Sequence, residues 1–228
     1  MNSNFIKFLR VPRHFYSATD TLWAKMKTIG TLFLLKILLI ITMITIGFFL
    51  ENQFNIYVPK RIRNPETADV PIFIKFLKSV LAAPIFEELL FRLPLKFSAI
   101  NFTMLFSLSA FLVFYFLKFD ISIVLSCSLV VGAISYFIIS RNVIKSLTSN
   151  YYEKNINYIF YFLSLYFAFV HIRVFDLDIN TYVWAPFILF PYFFSALIYG
   201  YIRMRYGVIE SILMHILHNL LLFSLIRI

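Results

Sequence analysis

The sequence is poor in charge. Only 14% of its 228 residues are charged, against 61% that are hydrophobic, whereas soluble domains carry about a quarter charged residues. The shortage excludes an ordinary soluble domain. The apolar runs are long and continuous, and they lack the alternation of membrane-spanning strands, so helices are favoured over a barrel. The sequence therefore predicts an all-α polytopic membrane protein.

Cysteine is almost absent as well. Cys127 is the only one, so an intrachain disulfide and a cysteine-based metal centre are excluded. The chain also lacks repeats, low-complexity tracts and linkers. We expect one transmembrane domain over residues 29–228, preceded by a basic segment over residues 1–28. Because that segment is rich in aromatic side chains and lacks a cleavage site, it predicts an interfacial helix.

The net charge of +10 comes from lysines and arginines that lie mostly between apolar runs. This placement indicates membrane orientation and anionic lipid as the partner, rather than nucleic acid. The basic residues modestly favour a cytoplasmic N terminus, and Lys36 falls inside a predicted span. A composition rich in Ile, Phe, Lys and Asn is typical of an AT-rich bacterial genome, so we expect an integral protein of a bacterial inner membrane.

The apolar runs predict about seven spans, each built on roughly 20 residues. The expected ranges are 29–50, 70–97, 101–117, 121–140, 156–174, 182–202 and 207–226. The segment 141–154 is predicted to be a polar loop.

Three polar clusters interrupt these spans, and ionisable side chains at bilayer depth mark candidate functional sites. The first contains Glu87, Glu88 and Arg92. Glu88 and Arg92 have the spacing of a helical ion pair, so Glu88 is predicted to be structural. Glu87 points roughly 100° away and is a candidate general base. A helix-end charge cluster with a snorkelling arginine is the alternative.

The second and third clusters carry imidazoles. His171 follows an apolar run, with Phe167 one turn earlier on the same face; a packing or interface histidine is the alternative. His215 and Asn219 share a helix face. An imidazole and an amide one turn apart can donate to one oxygen, as in an oxyanion hole, although interhelical packing bonds would use the same groups.

In this order and on separate predicted helices, the clusters resemble the pattern of the CPBP (Abi) family of intramembrane proteases, which includes type II CAAX prenyl endopeptidases. That pattern is Glu-Glu-x-x-x-Arg, then Phe-x-x-x-His, then His-x-x-x-Asn. The resemblance covers about residues 70–222. Two features depart from this pattern. Leu93 stands where a glycine usually follows the motif arginine, and the stretch of chain between the first and second motifs is unusually long. This stretch predicts a two-helix insertion at about 98–141.

The resemblance implies an endopeptidase that hydrolyses a peptide or protein substrate at or within the membrane. Glu87 and His171 would activate water, and His215 with Asn219 would hold the oxyanion. Glu88, Arg92 and Phe167 would support them. A glutamate-type enzyme needs no cofactor; zinc held by Glu87, His171 and His215 is the second choice. A non-catalytic immunity or partner-binding protein of the same family is the alternative function, and a proton or ion transporter is a third.

One expectation conflicts with this mechanism. On straight helices Glu87 falls on the inner side of the midplane and His171 on the outer side, with a mismatch on the order of 10 Å. Tilt, a kink at Pro84 or a shifted span boundary is required to close it. If the two side chains stay apart, the catalytic interpretation fails.

Overall fold

The computed structural model describes residues 3–12, 20–61, 70–176 and 178–226, which are mostly helical and contain no strand. Six of the helices are long and apolar enough to cross a membrane, which confirms the all-α polytopic prediction. The α-helices are α1 (Ser3–Arg10), α2 (Leu22–Phe54), α3 (Ile72–Phe76), α4 (Ala83–Phe91), α5 (Ala99–Phe116), α6 (Ile121–Ile139), α7 (Asn142–Val170), α8 (Ile179–Arg205) and α9 (Val208–Ile226). The six candidate spans are α2, α5, α6, α7, α8 and α9.

The second predicted span is not one regular helix. A π-helical segment, Leu77–Ala82, joins α3 to α4, and we call residues 72–91 the broken helix. The break precedes Pro84, which has no N–H to offer the preceding turn. The helix also ends early, at Arg92, where a 3-10 turn containing Pro94 follows. The expected range of 70–97 is therefore too long, and Pro84 and Pro94 account for the break and for the early end.

The predicted polar loop at 141–154 is wrong. These residues are helical from Asn142 onwards, so α7 is 29 residues long. The segment contains no glycine or proline, and its polar side chains lie on exposed faces of a continuous helix. Tyr152 is the buried exception, and its hydroxyl donates to the Pro94 carbonyl at 2.8 Å. This bond attaches α7 to the end of the broken helix.

The centre of the bundle is α8, which contacts α1, α2, α7 and α9. Its residues 198–202 are all buried. On α1, Phe5 and Phe8 are also buried, with ring centroids 5.3 and 5.0 Å from that of Tyr201. The N-terminal helix thus packs its aromatic face on the bundle. The remainder of the expected interfacial segment at 13–19 lies outside the described residues.

Helices α5 and α6 form an antiparallel hairpin that packs mainly on itself. Ser107 of α5 donates to the Ser128 carbonyl of α6 at 2.8 Å. Two crossings return the chain to the side at which α4 ends, so α7 can meet the broken helix. The hairpin covers the region of the expected insertion, which stays a prediction.

Gly200 on α8 packs closely against the Phe160 ring on α7, and there is no room for a larger residue at position 200. A Cβ at position 200 would lie 2.5 Å from Phe160 Cε2. Because both residues are buried, we expect Gly200→Ala to destabilise the protein by roughly 1–3 kcal/mol. The measurement is the thermal unfolding temperature in detergent.

Gly30→Ala is the matched control, because a Cβ at Gly30 meets nothing within 4 Å. We expect that variant to unfold at or slightly above the wild-type temperature. Equal unfolding temperatures for the two variants would contradict the close packing of α7 on α8.

Candidate functional site

Glu88 is fully buried and is held chiefly by α9. Its Oε1 accepts from His215 Nδ1 at 3.0 Å, and its Oε2 accepts from the Ser211 hydroxyl. Arg92 Nε lies 3.9 Å from Oε2, too far for a hydrogen bond. The expected ion pair is therefore present, but the hydrogen bonds that satisfy Glu88 come from Ser211 and His215.

Glu87 differs from Glu88 in its hydrogen bonding. Its Oε2 lies 3.7 Å from His215 Nε2 and 3.9 Å from His171 Nε2. Among the described residues this buried oxygen has no hydrogen-bond partner. Polar atoms at such separations are suited to bridging by one water molecule. The structure thus brings Glu87, His171 and His215 together. Among the described side chains, none donates a hydrogen bond to Glu87 Oε2.

The expected depth mismatch between Glu87 and His171 is wrong. Glu87 Oε2 and His171 Nε2 lie 3.9 Å apart, and both residues are next to irregular helix segments. Helix α7 ends at Val170, and His171 begins a 3-10 turn, His171–Val174. The π-helical segment and Pro84 make the opposing helix irregular one turn before Glu87. The expected mismatch assumes straight helices over the predicted ranges, and neither α7 nor the broken helix follows those ranges.

His171 is oriented by backbone and aromatic contacts. Its Nδ1 lies 2.7 Å from the Phe167 carbonyl oxygen, so Nδ1 carries the hydrogen and Nε2 faces Glu87. The ring packs against Phe167 and Tyr192, at centroid distances of 4.6 and 4.4 Å. Phe167 also lies 6.2 Å from the His215 ring. Phe167 therefore lies beside both imidazole rings and forms one side of the site.

Asn219 has a different partner from the one expected. Its Nδ2 donates at 2.8 Å to the Ser79 carbonyl in the π-helical segment, whereas His215 Nδ1 is bonded to Glu88. The two side chains are therefore not seen donating to a shared oxygen. The reason lies in Pro84, the residue five after Ser79, which has no N–H to complete the π-helical bond. Asn219 satisfies the carbonyl that the proline leaves open.

The sequence analysis did not assign Tyr199, Lys36 or Ser211 to the site around His215 and Glu88. Tyr199 stacks on the His215 ring at a centroid distance of 4.5 Å. Its hydroxyl accepts from Lys36 Nζ, and Lys36 is only 1% exposed. The signal was present, since a lysine inside an apolar span is itself a candidate functional residue. Ser211 precedes His215 by four residues, which places both on one face of α9.

The two buried cations, Lys36 and Arg92, balance the two carboxylates in number. Arg92 also lies over the Phe167 ring, 4.7 Å from its centroid. Paired charges are the form in which ionised side chains are retained in a low-dielectric interior. The formal charges of these four side chains therefore sum to zero, although each of them is costly to bury alone.

Within the described part of the chain, no group of three His, Cys, Asp or Glu residues is arranged to hold a metal ion. The donor atoms of the second-choice zinc set, from Glu87, His171 and His215, are 3.7 and 3.9 Å apart. Ligands at about 2.0–2.2 Å from a tetrahedral zinc would have donors roughly 3.4 Å apart. The three side chains would have to move closer, and zinc binding stays a prediction.

Comparison with protein-family models, curated proteins and solved structures gives no match for this chain. The fold and the site define a class on their own: an integral membrane protein of the all-α type, with a buried carboxylate and imidazole cluster between its helices.

The pairing around Glu88 predicts a stability effect. Glu88→Leu leaves Arg92 and Lys36 in the interior without their nearest carboxylate, so we expect a loss of about 3–5 kcal/mol. Glu88→Leu combined with Arg92→Leu should regain part of that loss, because one uncompensated cation is removed with its partner. The measurement is thermal unfolding in detergent.

Glu153→Leu, at an exposed position of α7, is the control and should change stability by less than about 0.5 kcal/mol. If the double variant loses as much as the sum of its two single variants, Glu88 and Arg92 do not form a pair.

Proposed function

We propose that the protein is an intramembrane endopeptidase of the CPBP type, in which Glu87 is the general base. The observation that carries the proposal is the approach of one Glu87 oxygen to two imidazoles at 3.7 and 3.9 Å. These separations suit a water molecule held by all three side chains. The motif order in the sequence supports the same assignment independently.

In the proposed reaction, Glu87 accepts a proton from the bound water, and the resulting hydroxide attacks the peptide carbonyl carbon. The tetrahedral oxyanion accepts from the second N–H of the Asn219 amide and, with His215 present as the imidazolium, from His215 Nε2–H. As the C–N bond breaks, Glu87 returns the proton to the leaving nitrogen. One water is consumed, and one carboxyl and one amino group are formed.

Glu88, Arg92 and Phe167 act by position in this scheme. Glu88 accepts from His215 Nδ1, which leaves Nε2 directed at Glu87. With the N terminus inside, more lysines and arginines fall in the inner segments than in the outer ones, and this supports a cytoplasmic N terminus in a bacterial inner membrane. Six apolar helices support access of the substrate through the bilayer, so we propose a membrane-embedded peptide or protein segment as the substrate.

A second candidate is a non-catalytic partner-binding or immunity protein of the same ancestry. One observation favours it: the Asn219 amide is bonded to Ser79, and His215 Nδ1 to Glu88. If Asn219 and His215 stabilise the fold through these hydrogen bonds, both residues would be retained even in a protein without activity. This candidate requires that substitution of Glu87 be tolerated.

Hydrolysis is tested by reconstituting the protein in vesicles with a bacterial membrane-protein extract in ¹⁸O-labelled water. Mass spectrometry should find new peptide carboxyl termini carrying one ¹⁸O. We expect Glu87→Gln and His171→Ala to lower their yield by at least about 100-fold, at unchanged protein levels in the membrane. Glu153→Gln is the matched control. Labelled termini that persist in Glu87→Gln would refute the proposed base and favour the non-catalytic candidate.

The glutamate-type and zinc mechanisms differ in their response to a chelator. If Glu87 alone activates water, 1,10-phenanthroline should leave the yield of ¹⁸O-labelled termini unchanged, and elemental analysis should find no zinc lost on Glu87→Gln. Inhibition that is reversed by added zinc, together with stoichiometric zinc in the wild type, would establish the metalloprotease alternative.

A further inference from the structure

A cavity of about 830 Å³ lies between α2, α8 and α9, next to the candidate site. This volume is within the range of about 300–1,000 Å³ for small-molecule sites. Tyr192, which lines the cavity, also stacks on His171. Along α2, the lining runs from Ile40 to Asn52, a rise of roughly 18 Å. That length is close to one leaflet of a bilayer, whose hydrocarbon core is about 30 Å thick in total.

The wall of the cavity suits a hydrocarbon chain better than a peptide. Ser195 and Asn52 bond to carbonyls of their own helices, at 2.6 and 2.8 Å. Nδ1 of His218 is a buried atom without a partner in the described structure. A single such atom cannot satisfy the successive amides of an extended peptide, whose burial without partners is costly. An acyl chain carries no amides to satisfy.

One end of the cavity carries charged side chains. Lys60 and Arg61 lie at the end of the cavity beyond α2, together with Glu51. Lys60 Nζ pairs with Glu51 Oε1 at 2.8 Å, so these three side chains carry one net positive charge. On the side of α2, Ile44 and Phe48 are 66% and 68% exposed. A ligand can therefore enter from the lipid, with an anionic group at the basic end.

We propose that this cavity binds an anionic phospholipid, with one acyl chain lying along α2 and the phosphate at Lys60 and Arg61. The site is separate from the proposed peptidase chemistry and does not depend on it. Its basic end lies near the candidate site, because Arg61 forms a backbone bridge with Phe175, four residues after His171.

The structure supplies a fluorescent reporter for this site. The rings of Trp184 and Phe187 are 5.5 Å apart, and Phe187 lines the cavity. The chain has two tryptophans, so Trp23→Phe leaves Trp184 as the single emitter. The protein is reconstituted in phosphatidylcholine vesicles containing a small fraction of brominated phosphatidylglycerol, or the same fraction of brominated phosphatidylcholine. We expect the anionic lipid to quench Trp184 several-fold more effectively.

Gly47→Leu tests whether the excess quenching arises in the cavity. A Cβ at Gly47 meets Val58 and Phe187 at 3.7 and 4.0 Å, in ordinary contact, so a larger side chain fills the space. Gly30→Leu is the same substitution on the same helix in open surroundings. We expect Gly47→Leu to abolish the excess quenching and Gly30→Leu to retain it. Excess quenching that survives Gly47→Leu would overturn the proposal.

Arg61→Gln tests the charged end without altering the cavity. It should lower the excess several-fold, whereas Lys118→Gln, in the exposed turn after α5, should not. Equal quenching by the two brominated lipids in the wild type would refute an anionic ligand. Inorganic phosphate should not displace the lipid; displacement would show a phosphate site without a role for the acyl chain and would also overturn the proposal.

Discussion

A carboxylate in the centre of a membrane protein is retained only where opposite charge and hydrogen bonds replace its water, and Glu88 meets that condition with groups from more than one helix. Arg92 comes from its own helix, while Ser211 and His215 come from α9. Lys36 of α2 reaches the same region through Tyr199 of α8. The arrangement of these helices around the broken helix is therefore constrained by the neutralisation of one buried group.

This constraint divides two adjacent glutamates into different roles. Because neighbours on a helix point roughly 100° apart, Glu88 can face α9 while Glu87 faces the two Nε2 atoms. Glu88 has its partners and holds His215 in orientation. The Oε2 of Glu87 has none among the described side chains. A satisfied carboxylate stabilises the bundle, and an unsatisfied one beside it keeps its capacity for chemistry.

Much of the fold could be predicted from apolar run lengths, because a bilayer sets the length of a helix that crosses it. The exceptions were of two kinds. Residues 141–154 are polar yet helical, since polarity alone does not stop a helix that contains no glycine or proline. The broken helix is shorter than its apolar run, since its prolines remove backbone donors. Hydropathy records neither effect.

The sequence predicted which residues lie at the candidate site, but it did not predict their hydrogen-bond partners. Spacing grouped Glu88 with Arg92, and His215 with Asn219, because spacing registers only neighbours on one helix. The stronger contacts of Glu88 and Asn219 run between helices, to Ser211, His215 and Ser79. The meeting of Glu87 with His171 depended on irregular helix ends that straight-helix geometry omits. The family assignment remains a prediction from the motifs.

The bond from Asn219 to Ser79 has a consequence for the order of assembly. The broken helix is synthesised well before α9, and the Ser79 carbonyl has no N–H partner at Pro84. Until α9 inserts, that carbonyl lacks its Asn219 donor. The bond that completes the break therefore forms only when α9 docks, and the same helix carries His215 to Glu88. Truncation of α9 would therefore affect a segment more than a hundred residues upstream.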